Sequence, residues 1–146
     1  MKPQIFLRIA GVLQILLALV HLVLPTMFHW QEELARLSLL NRQIFLVHTF
    51  FIMLILVLFG VLSIGAADDL MQPGRLQRWV LGGLFTFWTL RLVCQFFVYD
   101  SAIWKGNTFL TIGHIGFCCL WFFLVGTYGF ALRENRRGAL VQQRAL

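Results

Sequence analysis

Residues 44–67 read IFLVHTFFIMLILVLFGVLSIGAA, a run without one charged side chain. A helix needs about 20 apolar residues to cross the roughly 30 Å hydrocarbon layer of a bilayer. The run is continuous and does not alternate with polar residues, and only helices and closed barrels satisfy every backbone polar group in lipid. This stretch therefore predicts a transmembrane α-helix.

Three further stretches have the same character, and together they predict four spans. The spans are expected at about residues 5–24, 44–67, 79–99 and 108–132, with Pro25 closing the first and Arg91 as the one charge inside the third. The later connections are short, so consecutive spans should be antiparallel neighbours. We expect an all-α integral membrane protein, with residues 1–146 forming one antiparallel four-helix transmembrane bundle.

Composition points the same way. Hydrophobic residues make up 60% of the chain and charged residues 12%, whereas soluble domains average about 45–50% and about 25%. These values exclude an ordinary soluble enzyme and a disordered chain. The net charge of +6 does not indicate a nucleic-acid partner, because the basic residues flank apolar runs, where they orient helices in the bilayer.

The distribution of Lys and Arg predicts the orientation. Three basic residues lie on one side, and eight lie on the side that holds both termini: Lys2, Arg8, Arg75, Arg78, Arg133, Arg136, Arg137 and Arg144. The richer side is expected to be cytoplasmic. Compact loops and the lack of a targeting signal favour a bacterial inner membrane.

The loop between the first two spans has its own periodicity. Trp30, Leu34 and Leu37 are spaced i, i+4 and i+7, with Glu32 and Arg36 on other faces. This pattern predicts a short amphipathic surface helix between spans one and two. The helix would lie on the outer surface or form a lid over the bundle.

Polar residues within the spans are the main indication of function. His21, His48, Gln95 and His114 each lie a few residues from the outer end of a different span. At 1.5 Å per residue, all four fall within roughly 5–10 Å of the outer boundary. Each helix therefore contributes one polar side chain to the same layer.

Helical spacing predicts that these residues share the bundle interior. The polar and aromatic positions form four faces, one for each span: Gln14 and His21; Asn41 and His48; Trp88, Arg91, Gln95 and Tyr99; and His114, Cys118 and Trp121. Polar side chains in a membrane usually face the interior, because lipid exposure is costly. The faces are expected to converge.

Arg91 has no carboxylate counterion within the spans. All six acidic residues lie in loops or flanks, and an Arg near a helix centre costs about 2.5–3.5 kcal/mol even on the most lenient scale. Water, backbone carbonyls, Gln14 or an anionic ligand would each compensate. A fatty-acid carboxylate, a lipid phosphate, a haem propionate or a quinone carbonyl suits the guanidinium.

Histidine chemistry leaves three functional options open. Two imidazoles would ligate haem b axially, or His21, His48 and His114 would bind a copper, iron or zinc ion. Without a metal, the histidines would protonate a quinone or relay protons. Arg91, Gln95, Gln14 and Trp88 are the expected cofactor-binding residues. The structural alternative is that the polar layer only provides hydrogen bonds between helices.

The sequence contains no complete catalytic motif. Cys94, Cys118 and Cys119 form no C-x-x-C pair, so a thiol mechanism like that of vitamin K epoxide reductases is not expected. The predicted architecture resembles that of several small membrane oxidoreductases and of DoxX-like proteins, without a shared motif. We expect a small membrane redox or ligand-binding protein, whose partners are the lipid bilayer and a lipid, quinone or other anionic apolar ligand. The alternative is a non-catalytic accessory or transport subunit that binds a membrane protein partner or a second copy.

Overall fold

The chain is all-helical. The computed structural model describes residues 2–144, except the side chain of residue 144, and this part of the chain contains 88% helix and no strand. The elements are α1 (Pro3–Met27), α2 (Trp30–Ala35), α3 (Leu39–Gly65), α4 (Ala67–Met71), α5 (Arg75–Phe97), a 3₁₀ helix (Ser101–Ile103) and α6 (Thr108–Arg144). The predicted all-α class is confirmed.

Four of these helices correspond to the predicted spans. By length and composition α1, α3, α5 and α6 are each able to cross a membrane. The chain is therefore compatible with an integral membrane protein.

The expectation that Pro25 closes the first helix is wrong, since α1 continues to Met27. A proline lacks only its own N–H, so residues beyond it still donate to the helix. The Phe28 amide, for example, donates to the Leu24 carbonyl at 2.9 Å.

The last helix extends well past the apolar run. It contains 37 residues, or about 55 Å at 1.5 Å per residue, and its polar tail after Leu132 stays helical. Glu134 and Arg137 lie one turn apart there and form an ion pair at 3.0 Å. The tail is rich in Arg, Gln, Ala and Leu, which all have high helix propensity.

The chain divides into two compact units. The first unit comprises Met1–Leu7 and Ala67–Leu146, and the second comprises Arg8–Ala66. The expected single domain stays a prediction.

Close backbone approach between α1 and α3 organises the second unit. A Cβ atom on Gly11 would lie 2.6 Å from the Gly60 carbonyl oxygen and 2.6 Å from Cγ1 of Ile64. A Cβ atom on Gly60 would lie 2.6 Å from Cγ1 of Ile15. Only glycine fits at these two positions, because any side chain would meet backbone atoms of the facing helix.

A short helix is present in the second unit where the surface helix is predicted, but it ends before Leu37. Helix α2 has six residues and follows His29, whose φ of 49° is in the left-handed region. Leu34 is buried and Trp30 packs edge-on against Phe45 at 4.8 Å between ring centroids. Leu37 lies beyond the helix and is exposed, so only part of the predicted apolar face forms.

In the first unit, α5 packs along α6. Phe85 lies against Gly129, Trp88 against Trp121, and Gln95 against His114. The core of this unit includes Leu81, Leu84, Leu124 and Tyr128.

A buried asparagine of α6 holds the turn that precedes α5. Asn135 Nδ2 donates to the carbonyls of Leu70 and Gln72 at 2.9 and 2.7 Å. These carbonyls lie at the end of α4, where the helix leaves its acceptors without internal partners.

Candidate functional site

Gln95 is the centre of a polar network in the first unit. Its side chain is buried, and its Oε1 atom accepts hydrogen bonds from Arg91 Nη1 at 3.2 Å and from Trp121 Nε1 at 3.1 Å. Its Nε2 atom lies 2.9 Å from Nδ1 of His114. One amide therefore connects three side chains from α5 and α6.

The donors of this network determine the tautomer of His114. Arginine and the tryptophan indole can only donate hydrogen bonds, so the oxygen of Gln95 must face Arg91 and Trp121. The amide nitrogen then donates to His114, whose Nδ1 must carry a lone pair. This hydrogen-bond geometry assigns the ring proton to Nε2.

Both ring nitrogens of His114 have protein partners. Nε2 lies 3.6 Å from Sγ of Cys118, one turn further along α6, and sulfur is a weak acceptor for its proton. The ring also stacks on Trp104, with centroids 3.9 Å apart and planes 16° apart. These contacts fix the position and orientation of the imidazole.

The loop before α6 positions Trp104 over the histidine. Asp100 accepts from the Ala102 amide at 2.8 Å, which caps the 3₁₀ helix. Gly106 has a φ of 83°, a conformation that suits glycine, and it turns the chain toward α6. Thr111 Oγ1 then donates to the Trp104 carbonyl at 2.9 Å.

Arg91 lies among aromatic rings. Its guanidinium carbon is 4.6 Å from the Trp121 ring centroid and 5.6 Å from that of Tyr99. Such cation–π contacts contribute about 0.5–2 kcal/mol. Within residues 2–144 no carboxylate forms an ion pair with Arg91, so the rings and Gln95 are its compensation.

Trp88 extends the site away from Gln95. It is buried and stacks on Trp121 with centroids 5.3 Å apart, while Phe117 stacks on Trp121 at 5.7 Å. In the described part of the chain, Nε1 of Trp88 has no hydrogen-bond partner. A buried donor left without an acceptor costs about 1–3 kcal/mol.

The other predicted site residues belong to the second unit. Gln14 is buried and donates to the Ala10 carbonyl at 3.0 Å. His21 Nδ1 lies 2.8 Å from the Leu17 carbonyl, and His48 is exposed on α3.

The structure thus brings together Arg91, Gln95 and His114, with Trp88 joined to them through Trp121. Among residues 2–144, no group of three or more His, Cys, Asp or Glu side chains is arranged to hold a metal ion. The metal site expected from His21, His48 and His114 involves both units and stays a prediction.

Two aromatic residues of the site, Trp104 and Trp121, are not among the predicted binding residues. Trp104 lies in a loop, and nothing in a loop sequence predicts which ring it covers. Trp121 belongs to the predicted interior face, seven residues from His114. That spacing gave its side of the helix but not its contacts with Gln95 and Arg91.

The fold and the site therefore describe a chain with four membrane-length apolar helices and a polar network between two of them. No protein-family model matches this sequence, and neither the curated proteins nor the solved structures contain a significant match.

Proposed function

We propose that the chain is a small integral membrane protein that binds an amphipathic ligand near the outer surface of a bacterial inner membrane, with both termini in the cytoplasm. The ligand class is an apolar molecule with an oxygen-bearing head group, such as a quinone or a fatty-acid carboxylate. The contacts between α5 and α6 support antiparallel spans. Positions 85, 88 and 95 of α5 lie against positions 129, 121 and 114 of α6, so residue numbers rise along one helix as they fall along the other.

The observation that carries this proposal is the environment of Arg91. A guanidinium has five N–H donors, and the hydrogen bond to Gln95 uses one of them. Its positive charge has no ion-pair partner in the described chain. A carboxylate, a phosphate or a quinone carbonyl would accept from the remaining donors and offset the cost of a charge in the membrane.

The contacts of His114 favour a site without a metal. To ligate haem iron, copper or zinc, the imidazole would need a free ring lone pair. The lone pair on Nδ1 already accepts from Gln95, and Nε2 carries the proton that faces Cys118. His114 is better suited to donate that proton to a ligand oxygen than to bind a metal.

A binding measurement tests the proposal. The purified chain in detergent is titrated with a short-tailed quinone, and quenching of tryptophan emission reports occupancy, since Trp88 and Trp121 lie beside Arg91. Arg91→Gln removes the charge and is expected to weaken binding about tenfold to hundredfold, the effect of losing a hydrogen bond to a charged group. Arg42→Gln removes an exposed arginine from the second unit and serves as the matched control.

The variants distinguish binding at Arg91 from partition into micelles. Equal quenching of the original chain, Arg91→Gln and Arg42→Gln would contradict the proposal for quinones. A fatty acid that competes with the quinone in the original chain, but not in Arg91→Gln, would identify the carboxylate class.

A second candidate function, an accessory subunit, is favoured by the position of His48. This imidazole is exposed on α3, where a polar group facing lipid is costly and a partner helix would cover it. A photo-crosslinking residue at position 48 would then capture a membrane protein or a second copy. As a control, the photo-crosslinking residue is placed at position 58 of the same helix, where Leu58 is 56% exposed. There it should capture only lipid.

A further inference from the structure

A groove in the first unit lies away from the Gln95 network. It has a volume of about 720 Å³ and is formed by α5 together with Arg136 of α6. On α5 it extends from Arg75 to Leu90, about 22 Å at 1.5 Å per residue. The groove therefore runs from the predicted cytoplasmic end of the helix to a point deep within the predicted span.

One continuous face of α5 lines this groove. The lining positions on the helix are 75, 78, 79, 82, 83, 86, 87 and 90. Successive positions are alternately three residues and one residue apart, a spacing that stays on one side of an α-helix. The opposite side carries the buried residues Leu81, Leu84, Trp88 and Gln95. The groove face is largely uncovered, with Trp79 exposed to 71% and Leu90 to 60%.

Two adjacent glycines leave space in the middle of this face. A Cβ atom on Gly82 or on Gly83 would have no atom within 4 Å, so neither glycine is required by close packing within the described chain. Glycine inside a helix is about 1 kcal/mol less favourable than alanine. Their presence is explained if a molecule from outside the chain lies against the bare backbone.

The two ends of the groove differ in chemistry. Arg75, Arg78 and Arg136 line the mouth, and within residues 2–144 none of the three forms an ion pair. Phe87 and Leu90 line the deep end. A ligand that fits both ends has an anionic head and an apolar chain.

A second copy of this chain fits the groove poorly. The chain has a net charge of +6, so a second copy brings an excess of basic residues toward three arginines. Like charges in contact are unfavourable. A soluble anion would leave the glycine surface and the deep end of the groove empty.

We propose that this groove binds one anionic phospholipid from the cytoplasmic leaflet. Arg75, Arg78 and Arg136 hold the head-group phosphate, for which the guanidinium fork is well suited, and an acyl chain lies over Gly82 and Gly83. Basic pockets between transmembrane helices on the cytoplasmic side are suited to such head groups. The inference rests on insertion of the chain in a membrane and is independent of the proposed ligand at Arg91.

Native mass spectrometry of the full chain, released from mixed micelles, provides the test. The micelles contain either phosphatidylglycerol or phosphatidylcholine with identical acyl chains. We expect preferential retention of phosphatidylglycerol, and a loss of about fivefold for each of Arg78→Gln and Arg136→Gln. Arg133→Gln removes an exposed arginine of the same tail outside the groove and should leave retention unchanged.

A variant that fills the groove tests the acyl-chain part of the proposal. Gly83→Leu meets no atom at its Cβ and raises helix propensity, so the fold should persist, as circular dichroism would show. It is expected to lower retention of phosphatidylglycerol about tenfold. Inorganic phosphate at millimolar concentration should not displace the lipid.

Three results would overturn the inference. Equal retention of the two lipids would show that the groove does not recognise an anionic head. If Arg133→Gln lowered the retention of phosphatidylglycerol as much as Arg136→Gln does, the lipid would be attracted only to the basic surface in general. Displacement by inorganic phosphate, together with no effect of Gly83→Leu, would show a soluble-anion site.

Discussion

The two units use glutamine and histidine in different ways, although threonines such as Thr49 and Thr89 bond to their own helix in both. In the second unit, Gln14, His21 and Thr49 each contact a backbone carbonyl four residues earlier on the same helix. In the first unit, Gln95 connects to His114 and Trp121, which are 19 and 26 residues away on α6. The first pattern is a contact within one helix, whereas the second connects two helices.

The two units also differ in the contacts that hold their helices together. Helices α1 and α3 approach through Gly11 and Gly60, where backbone meets backbone. Helices α5 and α6 are joined by a buried amide, an indole and an imidazole. A polar group in a span is therefore evidence of a site mainly when its partner belongs to another helix, because a local backbone carbonyl is always within reach.

Breaking the interhelical network should have the largest effect on stability. Gln95→Leu leaves the Trp121 indole and the Arg91 guanidinium without their acceptor. At about 1–3 kcal/mol for each donor, the expected cost is about 2–6 kcal/mol. The free energy of unfolding is measured by titration of mixed micelles with sodium dodecyl sulfate, followed by circular dichroism.

Gln95→Glu is the matched variant for this prediction. It keeps an oxygen toward Arg91 and Trp121 and places a second oxygen against His114, so stability should be largely retained. The proton of His114 should move from Nε2 to Nδ1, which ¹⁵N NMR of the imidazole detects. A loss of stability equal to that of Gln95→Leu would show that the acceptor role is not what matters.

The sequence predicts the members of the Gln95 network better than it predicts the residues that surround the network. Gln95 and His114 were expected at one depth, because counting residues from a span end fixes the height of a side chain along a helix. Their partners depend on rotamers and on packing between helices, which is why His21, expected at a similar depth, contacts its own backbone instead. Trp104 covers His114 only because Gly106 and Thr111 shape the loop, and no hydrophobic periodicity reports that geometry.

The close contact in the second unit should be the next most sensitive feature. Gly11→Ala places a Cβ atom 2.6 Å from the Gly60 carbonyl oxygen, so α1 and α3 must separate, at a cost of about 1–3 kcal/mol for overpacking. Gly82→Ala is the control, since its Cβ meets nothing within 4 Å and helix propensity favours alanine. The same unfolding titration compares them, and equal stabilities would mean that the α1–α3 contact is not a close one in the folded protein.

The smallest effect is expected where a polar group is satisfied locally. His21→Phe removes one hydrogen bond to the Leu17 carbonyl, which as part of α1 also accepts from a backbone amide. The loss should therefore be near the average of about 0.6 kcal/mol for polar side chains in membrane helices. Thr49→Val removes a bond of the same kind and should match it. A loss for His21→Phe as large as that for Gln95→Leu, without one for Thr49→Val, would contradict the local assignment. It would instead show that His21 has a stabilising partner outside its own helix.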